Sequence, residues 1–175
     1  MAEGELDAFC VGEPWGSQAV VTARARLLLP GTSIHPASPE KVLALRAGWC
    51  EAEADLTGRL VRALSRAGEW LALPGNATTA AEVVTRPGRV DVAAERVERS
   101  LLGRIVTDDR GTEHVVAGFQ TFGPSRLMRP TPEQAGWIAA RLAFRFGLPR
   151  GWAESAAAGV FRADLYDRFL RPVAA

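Results

Sequence analysis

His35 and His114 are the only histidines in this chain of 175 residues. With Cys10, Cys50 and a few clustered carboxylates, they are the side chains best suited to move protons near neutral pH. His35 closes the stretch "GTSIHP", just ahead of Ser38, Pro39 and Glu40. Those three residues suit a helix start: serine accepts from orphan amides, proline fits the first turn, and glutamate meets the positive dipole end. A histidine beside such a helix start would be kept neutral and fit for general-base work. Equally, a loop histidine can be solvated or can cap a neighbouring backbone group.

Glu51, Glu53 and Asp55 form a short acidic run. On one helix Glu51 and Asp55 would share a face, with Glu53 pointing elsewhere. A pair of carboxylates would push one pKa up and supply an acid, whereas the alternative is a solvated face beside Arg59. His35, Glu51 and Glu53 are the expected acid–base residues, and Trp49 is expected to line a substrate pocket. Arg126, close to Arg129 in "PSRLMRP", is the residue expected to hold an anionic substrate group. His114 follows the "DDRG" turn and shares strand parity with Val116, Gly118 and Gln120, which makes it a surface residue.

Several chemistries are excluded by motif. The chain has no GxxxxGK[ST] loop, no GxGxxG after a strand, no HExxH and no GxSxG. EF-hand spacing and any cysteine–histidine cluster are also missing, so no metal and no cofactor are expected. Lysine plus arginine number 21 against 20 acidic residues, a formal net charge of +1. That balance argues against a dedicated nucleic-acid or anionic-membrane surface. Lys41 is the only lysine, which fits a GC-rich, actinobacterial type of genome. The acidic start "MAEGELDAFC" is unlike a signal peptide, and no apolar stretch is long enough to span a bilayer. A cytoplasmic protein with two free thiols is expected.

Elements must hold these residues in place. Residues 1–17 read as a loose arm, and "VVTARARLLL" from Val20 alternates like a half-exposed strand. The Ser38 start predicts a helix with Val42, Leu45 and Trp49 on one face. A second helical pattern runs through Ala52, Leu56, Leu60 and Leu64 towards a stop at Gly68, with Gly48 either a kink or an interior residue. "VDVAAERVE" from Val90 and "GRIVTD" alternate, and Asp108 to Gly111 is a strong turn signal. A further strand is expected at Trp70 to Leu73 or at Ala81 to Thr85. Thr131-Pro132-Glu133-Gln134 carries the capping-box spacing, and Gly147 and Pro149 end that helix. A last helix is expected from Trp152 to Leu170, with Phe161, Leu165 and Phe169 on one face and Pro172 as its stop. The expected fold is a single α+β domain: an antiparallel β-meander packed on a central helix or helix pair, with a C-terminal helical pair over residues 131–170.

"ARLLLPGTSIHPASPEKVLALRAGWCEAEADL" and "VDVAAERVERSLLGRIVTDDRGTEHVVAGFQTFG" together resemble hotdog-fold proteins, in which an antiparallel sheet wraps a central helix. The resemblance covers Val20 to Gly123 and leaves the C-terminal helices outside it. It implies a homodimer with an acyl pocket and a small-molecule or carrier-bound acyl substrate. His35 and Glu51 or Glu53 stand at the positions of the family's acid–base residues. The element order also suits a helix-grip binder of hydrophobic ligands. The expected function is a cofactor-free thioesterase, dehydratase or cyclase acting on an acyl or polyketide-like substrate in bacterial specialised metabolism. The alternative is a non-catalytic module that binds a ligand or a protein.

Overall fold

The computed structural model describes residues 3–36 and 38–170. It is an α+β structure, mostly helical, with one two-stranded antiparallel sheet among those residues. The chain forms two compact units. One draws on the described residues up to Glu40 and on Leu71–Thr121, the other on Lys41–Trp70 and on Phe122 onward.

The first unit is built from α1 (Trp15–Thr22), α4 (Ala77–Val84), α5 (Ala94–Leu101), β1 (Arg104–Val106) and β2 (Glu113–Val115). Helix α4 packs on α5, α5 on β1, and α1 on both α5 and β1. Ala81, Val92 and Val97 are buried together, with Val90, Ala94 and Leu101 packed around them. Val20 and Ile105 are the largest fully buried side chains. A polar seam joins α1 and the segment just before it to α5: Ser100 Oγ donates to Glu13 Oε2 at 2.9 Å, and Arg96 Nη1 to Gln18 Oε1 at 2.5 Å.

The hairpin is the part of this unit that local chemistry dictates. Asp108 Oδ1 accepts from the backbone N–H of Arg110 at 3.0 Å and of Thr112 at 3.1 Å, and Gly111 takes the left-handed φ of +81°. The Thr112 amide is the main cause holding the Asp108 carboxyl below its usual pKa. Across the ladder Arg104 faces Val115, Ile105 faces His114 and Val106 faces Glu113. His114 is exposed, but strand parity does not decide it: Glu113 and Val115 are exposed too, and the strand ends at Val115, before Val116, Gly118 and Gln120.

Three expected strands are absent. "VVTARARLLL" begins inside α1, and its remainder is irregular, tied to the hairpin by the Leu27 N–H to Thr107 O bond at 2.9 Å. "VDVAAERVE" runs into α5 because Val97 and Leu101 lie four residues apart and reach the α4 surface together. Ala81 to Thr85 falls in α4, whose Ala77, Ala80 and Ala81 are buried at helical spacing. The 70–73 stretch instead straddles the end of a helix, Ala54–Leu71.

The second unit holds α2 (Ala47–Ala52), α3 (Ala54–Leu71), α6 (Ser125–Met128), α7 (Pro132–Phe146), α8 (Arg150–Ala158) and α9 (Ala163–Leu170). The expected helix from Ser38 does not form: residues 38–46 are not helical, and Val42 and Leu43 stay exposed. A start signal needs a buried face behind it, because isolated short helices are marginal in water. Gly48 lies inside α2, and the break falls at Glu53 (φ −112°, ψ 46°). Gly68 is not a stop either. It sits within α3 where a Cβ would overlap Met128 Sδ, so it allows close approach of α6.

Helix α7 starts as expected, with Thr131 Oγ1 accepting from Gln134 N at 3.2 Å and Thr131 N donating to Gln134 Oε1 at 3.1 Å. It ends at left-handed Gly147. Its Ala139 and Ala143 meet Ala153 of α8 in a close-packed alanine seam. The expected final helix is two helices, α8 and α9, interrupted at Gly159 to Arg162. Pro172, its expected stop, lies outside the described residues.

Thr57 of α3 is 2% exposed, and its Oγ1 has no hydrogen-bond partner among the described residues. A buried hydroxyl left unbonded costs about 1–3 kcal/mol. Thr57→Val keeps the shape and removes that cost, so it should raise unfolding stability by about 1 kcal/mol in urea titrations. A loss of stability would show that the hydroxyl has a partner in solution.

Candidate functional site

The second unit carries an open cleft of about 230 Å³ lined by Cys50, Glu51, Ala54, Arg162, Leu165 and Arg168. A neighbouring hollow of about 190 Å³ shares Ala54 and Arg168 and adds Asp55, Gly58, Arg62 and Phe169. Its floor is set by Gly58, where a Cβ would come within 2.8 Å of Phe169 Cδ1. The glycine therefore lets the Phe169 ring lie directly on α3. Arg62 Nη1 donates to the Phe169 carbonyl at 3.3 Å, satisfying one of the acceptors that a helix leaves open at its C-terminal end. The face expected to hold Phe161, Leu165 and Phe169 is accordingly spent in part, through Phe169, on packing within its own unit. Phe161 precedes α9 rather than belonging to it.

The cleft guanidiniums differ in what occupies them. Arg162 holds Asp164 in a two-pronged pair at 2.8 and 2.7 Å. That hydrogen bond is the main cause raising the Arg162 pKa, with smaller help from Glu51 and Cys50 nearby. Beside the cleft, Arg129 grips Asp167 at 2.7 and 2.8 Å and ties the end of α6 to α9. Arg168 leans over the Phe169 ring, 5.4 Å from its centre, and has no carboxylate partner among the described residues. Its planar fork of donors is thus uncommitted, and such a fork matches a planar oxyanion.

The bond from Arg162 is the main cause lowering the Asp164 carboxyl to about 2. A carboxyl with a depressed folded-state pKa supports the fold above its ordinary pKa of 3.8, and that support is lost as pH falls towards 2. The Asp164 carboxyl should titrate by NMR with a midpoint near 2, and Arg162→Ala should return it towards 3.8. A midpoint near 4 in the unaltered chain would mean that the pair does not form in solution.

The expected site residues are divided between the two units. His35 lies in the first unit, half-buried in the turn after a 3-10 stretch at Gly31–Ser33, its N–H bonded to Gly31 O at 3.0 Å. With residues 38–46 not helical, the helix start that was to keep it neutral is missing. Glu51, Glu53, Trp49 and Arg126 lie in the second unit. Glu51 lines the cleft from α2, while Asp55 lies beyond the break on α3 and pairs with Arg59 at 3.1 Å. The two carboxylates therefore do not share one helix face. Glu53 is the exposed break residue, Trp49 is half-buried on α2, and Arg126 is exposed on α6. Arg162 and Arg168 were missed. The Asp164–Arg168 spacing of four residues on one helix suggests an internal pair, and only the fold shows Asp164 turned to Arg162 instead.

A model of the NMT1-like family matches residues 1–85. The chain is similar to the nitrate import ATP-binding protein NrtC of Synechocystis, 28% identical over 154 residues, which is 86% of this chain and 23% of that protein. It is similar to the nitrate/nitrite binding protein NrtA of Synechococcus elongatus, 28% identical over 105 residues, 60% of this chain and 24% of that protein. The bicarbonate-binding protein CmpA of Synechococcus elongatus is 27% identical over 105 residues, again 60% of this chain and 23% of that protein. The chain spans about a quarter of the length of these curated relatives. No solved structure matches.

These likenesses overturn the hotdog resemblance and the expectations that rested on it: acyl-thioester or polyketide chemistry, an acyl or carrier-bound partner, a homodimer and a place in specialised metabolism. The fold agrees, since a sheet of two three-residue strands cannot wrap a helix. With it goes the family comparison that placed His35 and Glu51 or Glu53 at acid–base positions.

Proposed function

We propose that this chain is part of a solute-binding protein for a small planar oxyanion of the nitrate or bicarbonate kind. One observation carries the reading. The same chain is similar both to proteins named for binding nitrate, nitrite or bicarbonate and to ATP-binding proteins named for moving the same solutes. What those names share is the anion. The chain has no GxxxxGK[ST] loop, so the stretch shared with the ATP-binding relatives is not a nucleotide cradle of that type. This reading develops the ligand-binding alternative and sets the enzyme aside.

Arg168 is the residue we assign to the anion. Its guanidinium can offer two parallel N–H bonds to two oxygens of a planar anion, while Arg162 adds positive charge that Asp164 largely balances.

Calorimetric and thermal-shift titrations of the chain with nitrate, nitrite and bicarbonate test this, against chloride and sulfate at constant ionic strength. One of the planar anions should saturate. At a concentration 100-fold above Kd it should add about 2.7 kcal/mol of stability, raising Tm by roughly 5–10 °C. A response no greater than that to chloride would sink the reading.

A further inference from the structure

We infer, resting on the oxyanion reading of the cleft, that Arg129 is a positioning residue for it: through Asp167 it sets the rotation of α9 that turns Arg168 into the cleft.

Helix α9 is eight residues long, and none of them is buried. A helix of about two turns is marginal on its own. With no buried side chain, apolar packing does not fix which face it presents. Leu165 and Arg168, three residues apart, share a face and line the cleft together. Asp167 and Phe169 lie to either side of Arg168, each turned by about 100° around the axis. Both of those residues are tied to other elements.

Phe169 is seated on α3. A Cβ on Gly58 would come within 2.8 Å of its ring, and Arg62 Nη1, one turn further along α3, donates to its carbonyl at 3.3 Å. Asp167 is held on the other side by Arg129, whose Nε and Nη2 donate to Oδ1 and Oδ2 at 2.7 and 2.8 Å. Two parallel bonds constrain direction as well as distance. Arg129 is suited to be the fixed end of the pair. It follows directly on Met128, the last residue of α6, and Met128 Sδ fills the space that a Cβ on Gly68 of α3 would need. Both anchors therefore lead back to α3, through two of its glycines. A turn of α9 by one residue, about 100°, would bring Asp167 or Phe169 to the cleft in place of Arg168, and the anchors oppose it.

The side chains of the pair are 37% and 41% exposed, and exposed ion pairs add little to global stability. What the pair supplies is direction. Charge alone makes the opposite prediction for Asp167: a carboxylate beside an anion repels it, so neutralising the carboxylate would tighten binding.

Asp167→Asn and Arg129→Gln in the full 175-residue chain separate the two, by calorimetry with nitrate, nitrite and bicarbonate and by NMR without anion. Both variants should keep the parent's helical circular dichroism. Each should weaken binding of the anion that saturates the parent by about 5- to 20-fold, and Arg129→Lys should recover part of the loss. In an Arg168→Ala background, Asp167→Asn should have no further effect on affinity. Without anion, the α-protons of Gly58 lie against the Phe169 ring and carry its ring-current shift. Asp167→Asn should remove about half or more of that shift as the helix rocks. Unchanged or tighter binding by Asp167→Asn would overturn the inference, as would an unchanged Gly58 shift. A variant that loses the helical signal would do the same, because the pair would then hold the fold and not a rotation. A parent that binds none of the anions would instead sink the oxyanion reading, and the Gly58 shift alone would decide whether the pair sets the rotation of α9.

Discussion

Gly103→Val should destabilise the first unit by about 3 kcal/mol or more, because two independent costs add. Gly103 joins α5 to β1 with φ at +68°, a left-handed backbone that costs a side-chain-bearing residue roughly 1–2 kcal/mol. A Cβ there would also lie 2.7 Å from the carbonyl oxygen of Val116. That oxygen is backbone and cannot step aside like a flexible side-chain tip, so overpacking adds roughly 1–3 kcal/mol. Relief would require opening the hairpin, where Val116 N–H donates to Gly103 O at 2.8 Å and Ile105 of the next strand is buried. For a chain of this length the loss should lower the midpoint of thermal unfolding by roughly 6–12 °C. Hydrogen exchange should quicken first at Ile105 and Val116. Gly111→Val is the informative comparison: its φ is similarly positive, but nothing lies within 4 Å of its would-be Cβ. It should cost only the backbone part. Equal losses for the two variants would show that the contact with Val116 contributes nothing.

Arg168→Ala should reduce oxyanion affinity by about 10- to 100-fold, the worth of one charge-assisted pair of hydrogen bonds. Arg168→Lys should recover only part of it, since an ammonium supplies charge without the planar fork. The substitution should leave unfolding stability nearly unchanged, because the side chain is exposed and makes no ion pair among the described residues. Arg126→Ala, exposed on α6, is the control and should bind as the parent does. Calorimetry on the three variants separates the cases. If Arg126→Ala weakens binding and Arg168→Ala does not, the anion lies elsewhere on this unit. Unchanged binding in both would remove the cleft from consideration while leaving the oxyanion reading to the titrations themselves.

The parts of the fold legible in the sequence are those whose partners lie a few residues away. The "DDRG" turn closes because Asp108 reaches amides two and four residues on, and Gly111 can take a positive φ. "TPEQ" caps α7 because both bonds of the box are made between Thr131 and Gln134. "SPEK" has a similar start and yields no helix, for Val42 and Leu43 behind it find no surface to cover. "VDVAAERVE" alternates and is also spaced at fours. Its period becomes helical because α4 offers a surface for Val97 and Leu101, which no reading of nine residues can reveal.

The candidate site was less legible for the same reason. Glu51 was visible as part of an acidic run, and the fold does place it in a cleft, but the break at Glu53 separates it from Asp55. The arginines that give the cleft its charge looked like any others in an arginine-rich chain. Their difference lies in which carboxylate each one meets: Arg129 meets Asp167 across 38 residues, and Arg168 meets none among those described. By itself, then, the sequence determined the turns and caps, whose bonds close within one local segment, and ruled out the common phosphate and zinc motifs. Tertiary structure decided which periodic stretches became helices and which arginine kept its donors. Those outcomes depend on surfaces brought together from distant parts of the chain, and burial there outweighs local preference.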